Sequence, residues 1–314
     1  DDRGRLRVKP LLIVLVVQLV LVGALLYAAS RSFDFLSFLY PDPPPSTRPV
    51  PTPTADRFDA PAAMALAHRQ VRLGPRPAGS PTSQALARDL AGLLPDGRLQ
   101  PIGRGMRNVI GTIPGRRPAI VVGAHYDTER TIPGFVGAND GAAGTAAVVL
   151  VARALAGAPL PAGHRELRFV LFDGEEEQRP TRDFYRDALA GSKAYVARSR
   201  AAGPATYEML LLDYIANAGL RLPREGTSNV AMWDRVRAAA KEVGVEQVFP
   251  DRVQEKVLDD HTPFLRAGIP AVDFIDWAYE HKDTRRDTFD KLSPAAMDAV
   301  GETVVAFLDR EMRR

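Results

Sequence analysis

Two stretches decide the fold: AIVVGAHYDT at 119–128 and LRFVLFDGEEE at 167–177. Each opens as a short run, apolar but for Arg168, and stops at polar and acidic residues. A run of this length that is continuous rather than alternating reads as a strand with both faces covered. Further strand-like runs lie at 108–113, 208–212 and 271–275. Stretches with a 3.6-residue period fall at 60–71, 83–94, 142–156, 192–201, 231–243 and 294–310, and these predict helices. The alternation predicts an α/β fold: a three-layer sandwich around a central mixed, mostly parallel sheet.

Working outward, residues 11–29 run LLIVLVVQLVLVGALLYAA, apolar except for Gln18. At about 1.5 Å per residue this comes close to the roughly 30 Å hydrocarbon core of a bilayer. Arg3, Arg5, Arg7 and Lys9 precede it, so the positive-inside rule keeps the N-terminus in the cytoplasm and sends the rest outside. The expected layout is a basic segment at 1–10, a transmembrane signal anchor at 11–30, a proline-rich linker at 31–58 and a catalytic domain at 59–314. That makes a single-pass protein of the cell membrane, with the lipid bilayer as a partner. Ala28, Ala29 and Ser30 leave open a cleaved signal peptide. The segment YPDPPPSTRPVPTPTAD at 40–56 reads as an extended, semi-rigid spacer.

Composition narrows the chemistry. There is no cysteine, so thiolate nucleophiles and thiolate metal sites are excluded and any metal falls to His, Asp and Glu. The net charge of +3 forms no basic stripe with interleaved aromatics, which argues against nucleic acid as a partner.

In sheets of this kind ligands bind beyond the carboxyl ends of the strands. The residues ending the apolar runs are His125, Tyr126 and Asp127, then Asp173, Glu175 and Glu176, then Asp213; a glycine-rich loop adds Asp140. Each has an ordinary explanation alone. His125 could be a surface histidine, Asp140 a helix cap, and the acids at 175–177 a solvated turn. Asp213 is harder to set aside, because an unpaired carboxylate closing an apolar run costs several kcal/mol. Their convergence on one sheet edge favours zinc, one ion or two, with a carboxylate bridging in the second case.

From about Leu73 onward the chain resembles the co-catalytic zinc aminopeptidases and their relatives, the glutaminyl-peptide cyclotransferases. The resemblance rests on motifs in order: LGPRPAGS (73–80), NVIGTIPG (108–115), GAHYDT (123–128), GANDGAAGTAAVVLVARAL (137–155), FDGEEE (172–177), GSKAY (191–195) and DDHTPFLRAGIP (259–270). It implies one zinc held by Asp140, Glu176 and a late histidine, and a second held by His125, Asp140 and Asp213. Asp127 would orient His125, and Glu175 would be the general acid/base. The substrates implied are peptide or protein N-termini. Either the first peptide bond is hydrolysed, or an N-terminal Gln closes to pyroglutamate with loss of ammonia. The stretch EQRPTRDFYRDALA at 177–190 and the loop DDHTPFLRAGIP favour the cyclase.

The chain departs from the family pattern in one place. Where the late histidine is expected, four residues ahead of DTFD at 287–290, stands Asp283; His281, two residues earlier, is the alternative ligand. An all-carboxylate first site is a weaker Lewis acid, so a peptide-binding protein that keeps the fold without catalysis is a further reading. Asp260 and His261 are expected to shape the pocket, with Trp277, Tyr279 and Phe184 as candidates for an aromatic wall. His68 and His164 read as structural or surface residues.

Overall fold

The computed structural model describes residues 17–23, 49–201 and 206–314. Residues 17–23 are helical, and the rest of the predicted membrane span at 11–30 lies outside the described residues. Among the described residues no helix is long and apolar enough to cross a membrane. A compact unit runs from Arg48 to Arg314.

This unit opens with α1 (Ala60–Arg72) and α2 (Pro81–Leu93), each started by a side-chain cap, Asp59 and Ser80, with proline in the first turn. Then come β1 (Arg98–Gly103), β2 (Met106–Ile113) and β3 (Arg116–His125). A π-helical turn at Ala138–Ala143 leads into α3 (Gly144–Ala156), and β4 (Arg165–Phe172) follows. The short α4 (Phe184–Asp187), α5 (Ala190–Ala201), β5 (Thr206–Leu212), α6 (Val230–Glu242), α7 (Thr262–Arg266), β6 (Ala271–Phe274) and α8 (Pro294–Glu311) complete the order.

The six strands lie in the order β1-β2-β4-β3-β5-β6. The pairs β4/β3, β3/β5 and β5/β6 are parallel, and β1/β2 and β2/β4 antiparallel. Strand alternation sorts the core into two layers. Ile120, Val122 and Ala124 of β3, Leu210 and Leu212 of β5, and Leu167, Phe169 and Leu171 of β4 face α1, α2, α3, α6 and α8. Val121, Met209, Leu211, Val170 and Phe172 face the opposite way, onto Tyr195 of α5 and Phe264 of α7. That is the expected three-layer sandwich. Each fully buried Val, Leu or Phe contributes about 1.5–3 kcal/mol, so the carboxyl ends of these strands are a stiff platform for side chains.

Residues 49–58 of the proline-rich stretch lie inside the compact unit. Val50 and Phe58 are buried, and the Thr54 N–H donates to the Val243 carbonyl at 3.0 Å. The N–H groups of Arg57 and Phe58 both donate to Glu302 of α8, and the Arg57 guanidinium pairs with Asp309. The Phe58 ring lies against Gly301, where a Cβ would come within 2.2 Å of it.

Candidate metal centre

The central strands deliver their polar ends to one place. His125 closes β3, Glu175 and Glu176 follow β4, and Asp213 follows β5. Asp140 arrives on the π-helical turn, whose backbone breaks at Asp140 (φ −87°, ψ 97°) and Gly141 (φ 88°, ψ −46°). Gly141 is required there: besides the positive φ, a Cβ would lie 2.9 Å from the Asp127 carbonyl and 3.1 Å from the His125 ring. Asp140 is not a helix cap. The helix proper begins at Gly144, two residues later than its period predicts, and no side chain caps it.

His125 Nε2 lies 3.0 Å from Asp140 Oδ1 and 3.4 Å from Asp213 Oδ1. Its Nδ1 lies 3.7 Å from Asp127 Oδ1 and 4.0 Å from Glu175 Oε2. None of these approaches has hydrogen-bond geometry, and Glu176 Oε1 also lacks a donor. His125, Asp140 and Glu176 each offer one donor atom within 4.8 Å of the others. Asp127 lies behind them, its two oxygens accepting from the N–H groups of Glu175 and Glu176 at 3.2 and 3.4 Å.

The electrostatics call for a cation. Burial pushes Glu175 well above the ordinary carboxylate range, with His125 pulling down and Asp259 and Asp260 adding to the rise. Burial and the charges of Asp140 and Glu175 do the same to Glu176. Asp213 is pushed up to about 8 by burial, against the pull of His125. Burial would lower His125, but Asp127, Asp140 and Asp213 hold it well above its ordinary value. Carboxylates crowded this tightly are stable when a metal ion or a proton neutralises them. One imidazole with several carboxylates is a hard, mixed N/O donor set that fits zinc.

A cleft of 510 Å³ opens above, lined by Asp140, Glu175, Glu176, Asp213, Asp283 and an apolar wall that includes Ile132, Phe184, Leu258, Ile275 and Trp277. Asp283 reaches the site; His281 does not line the cleft, its Nε2 lying 3.1 Å from Glu280 while its ring packs edge-on against Tyr279. Phe184 and Trp277 form part of the wall as expected. Tyr279 is buried instead, donating to Asp287 Oδ1 at 2.8 Å. Asp260 and His261 are buried, and neither lines the cleft, although the adjacent Asp259 does. His68 stacks on Phe289, and His164 Nδ1 lies 2.9 Å from the Arg165 carbonyl, both outside the site.

Three contributors were not foreseen. The Tyr214 hydroxyl lies 2.8 Å from Asp140 Oδ2 and 3.2 Å from Asp283 Oδ1, aimed there by a left-handed backbone (φ 44°). Asp287 accepts from the N–H groups of Asn139 and Asp140 at 3.0 Å each, fixing the turn that carries Asp140. Arg76, fully buried, donates to the carbonyls of Val136 at 2.7 Å, Gly137 at 3.1 Å and Tyr126 at 3.2 Å. It ties together the two segments that present the site. Burial brings its guanidinium down to about 10, opposed by Asp140, Asp127, Asp287 and Glu176, so it stays charged at neutral pH.

Fold and donor set together define an α/β protein whose sheet edge is equipped to hold a divalent metal. A sequence model of peptidase family M28 matches residues 108–308, and the chain belongs to that family. It is similar to aminopeptidase YwaD of Bacillus subtilis, 28% identical over 205 residues covering 61% of this chain and 41% of that one. It is similar also to glutaminyl-peptide cyclotransferase of Bothrops jararaca, 27% identical over 248 residues covering 65% of each. The chain thus spans less than two thirds of these relatives. Among solved structures, an Acidobacteriales bacterium glutaminyl cyclase superposes with a TM-score of 0.71 at 26% identity, over 87% of this chain and 99% of that one.

Proposed function

We propose that this chain is a zinc-dependent enzyme acting on peptide N-termini, cyclising an N-terminal Gln to pyroglutamate, and that residues 11–30 anchor it in a membrane with the catalytic unit outside the cytoplasm. The observation that carries the enzymatic reading is Glu175: a buried carboxyl opening on the cleft, 4.0 Å from His125 Nδ1 and amid the donor set. We assign His125, Asp140 and Glu176 to hold zinc, with Asp213 and Asp283 as further donors beside them and Asp127 orienting His125. Zinc bound there supplies a Lewis acid that polarises the substrate amide carbonyl.

The acid-lined cleft suits a free α-amine, and the wall of Phe184, Ile132 and Trp277 covers the aliphatic part of a Gln side chain. Glu175 takes a proton from the α-amine as its nitrogen attacks the side-chain amide carbon. It then delivers a proton to the amide nitrogen as that C–N bond breaks and ammonia leaves. The 177–190 segment supports cyclisation over hydrolysis, because it folds through α4 and brings Phe184 to the cleft. Hydrolysis of the first peptide bond is the second reading. His125 Nε2 lies 3.4 Å from Asp213 Oδ1, so donors for a second metal are also present. In that case Glu175 would take its proton from water.

The test is the purified, zinc-loaded chain incubated with a Gln-initiated and a Leu-initiated peptide, with products weighed by mass spectrometry. Ammonia loss from the Gln peptide, abolished in Glu175→Gln, is the expected result. Release of the first residue would establish the aminopeptidase. Two unchanged peptides together with no retained zinc would make the chain a non-catalytic peptide-binding relative.

A further inference from the structure

We infer that a second divalent-cation site lies beside β6, built from His261 Nδ1 and the carboxylates of Asp259 and Asp273, a ligand set distinct from the one around Asp140 although Asp259 lines the same cleft. His261 is fully buried, and its hydrogen bonds fix its tautomer. The Thr227 hydroxyl donates to Glu225 Oε2 at 2.8 Å, so its oxygen is left to accept from His261 Nε2 at 2.9 Å. Glu225 Oε2 also lies 3.3 Å from that nitrogen. With the hydrogen on Nε2, a neutral His261 leaves its Nδ1 lone pair for a cation.

That lone pair points at more acceptors. Asp273 Oδ2 lies 3.5 Å from Nδ1, Asp273 is completely buried, and neither of its oxygens receives a hydrogen bond. Asp259 Oδ2 and His261 Nδ1 itself are equally without partners. One donor atom from each of the three residues falls within 4.8 Å of the others. Converging lone pairs in a dry interior need a positive centre between them. The outer frame is that of a ligating histidine, whose second ring nitrogen donates to a carboxylate or hydroxyl that holds its orientation. The Ser228 hydroxyl completes the frame, donating to Glu225 Oε2 at 3.0 Å and accepting from the Asp273 N–H at 3.0 Å. One imidazole with two carboxylates suits zinc among common divalent ions. Asp259 lines the cleft while His261 and Asp273 lie behind it, so an ion here would brace the join between the 259–262 loop and β6 from behind the cleft wall.

The test is metal stoichiometry, which is independent of peptide activity. The full-length chain is loaded with zinc, desalted and analysed by plasma mass spectrometry. Asp273→Asn is expected to carry one zinc fewer than wild type. The double variant His125→Ala, Glu176→Gln, disabled at the Asp140 centre, is expected to keep one. His261→Gln reads the same subtraction if Asp273→Asn does not fold. Equal zinc in wild type and the Asp273 or His261 variant would overturn the site and leave a buried proton as the balancing charge; loss of all zinc in the double variant would overturn it as well.

Discussion

Replacing Arg76, which lies in the LGPRPAGS segment at 73–80, by Met removes a fully buried cation. The carbonyls of Val136, at 2.7 Å, and Tyr126, at 3.2 Å, lose a charge-assisted donor; of the other acceptors, Gly137 keeps the Ala142 N–H at 3.3 Å, Gln70, 3.4 Å from the guanidinium, keeps the Leu73 N–H at 3.0 Å, and Gly74, also at 3.4 Å, is only partly buried. Two such bonds at about 1.5–3 kcal/mol each give a loss of about 4 kcal/mol. Loss of the positive charge among Asp140, Asp127, Asp287 and Glu176 adds to it. Against the roughly 5–15 kcal/mol that holds a folded domain together, this is a large share. It corresponds to a fall in Tm of about 8–16 °C for a unit of this size. Arg76→Lys, whose ammonium can meet only part of this set, is expected to lose about half as much. Thermal and urea unfolding of the purified variants measure both. A cost under about 1 kcal/mol for Arg76→Met would refute the reasoning, since it would mean that the two segments need no cation between them.

Three further expectations follow from other parts of the molecule. Gly301→Ala places a methyl within 2.2–2.4 Å of the Phe58 ring; it should cost about 1–3 kcal/mol through overpacking, and an unchanged melting temperature would show that Phe58 does not seat there. Glu208 is pushed up to about 7 by burial, against the pull of Arg235. A raised folded-state value means that its contribution is fully present below about pH 4.5 and is lost as pH rises through 7, by at most about 3 kcal/mol. Glu208→Gln should remove that component, so parallel stability curves for variant and wild type across this window would exclude it. Dialysis against a chelator should lower the melting temperature, and restored zinc at about 100 times its dissociation constant should recover about 2.7 kcal/mol. A chain indifferent to both would have no metal in its folded state.

Much of the sheet is legible because its inner strands are covered on both sides. LRFVLF at 167–172 has to be continuous where α3 packs on one face and Tyr195 on the other. The strand Arg98–Gly103 escapes the same reading: it is an edge strand, half exposed, carrying Pro101 and no apolar run. Most of the site was legible by a related logic, since polar residues that end apolar runs have to converge where the strands end. Tyr214 was not, because beside Asp213 it continues the apolar pattern, and only its left-handed backbone returns the hydroxyl to Asp140. Arg76 falls within LGPRPAGS, but nothing in its spacing says that the guanidinium is buried among carbonyls. Asp283 and His281 were both open from spacing alone. The turn at Asp283 (φ 52°) accompanies a carboxylate that reaches Tyr214, while His281 lies against Glu280 and Tyr279.

The clasp of Arg57 and Phe58 on Glu302, Gly301 and Asp309 has a mechanical consequence. Residues 50–58 are thereby seated twice, on the end of α6 through Thr54 and on α8, a long helix packed against α6, α1 and α3. Neither helix contributes a side chain to the cleft. The attachment of the leading segment and the chemistry at His125, Asp140 and Glu176 therefore occupy different parts of the domain, and a substitution that loosens one leaves the donor set of the other in place.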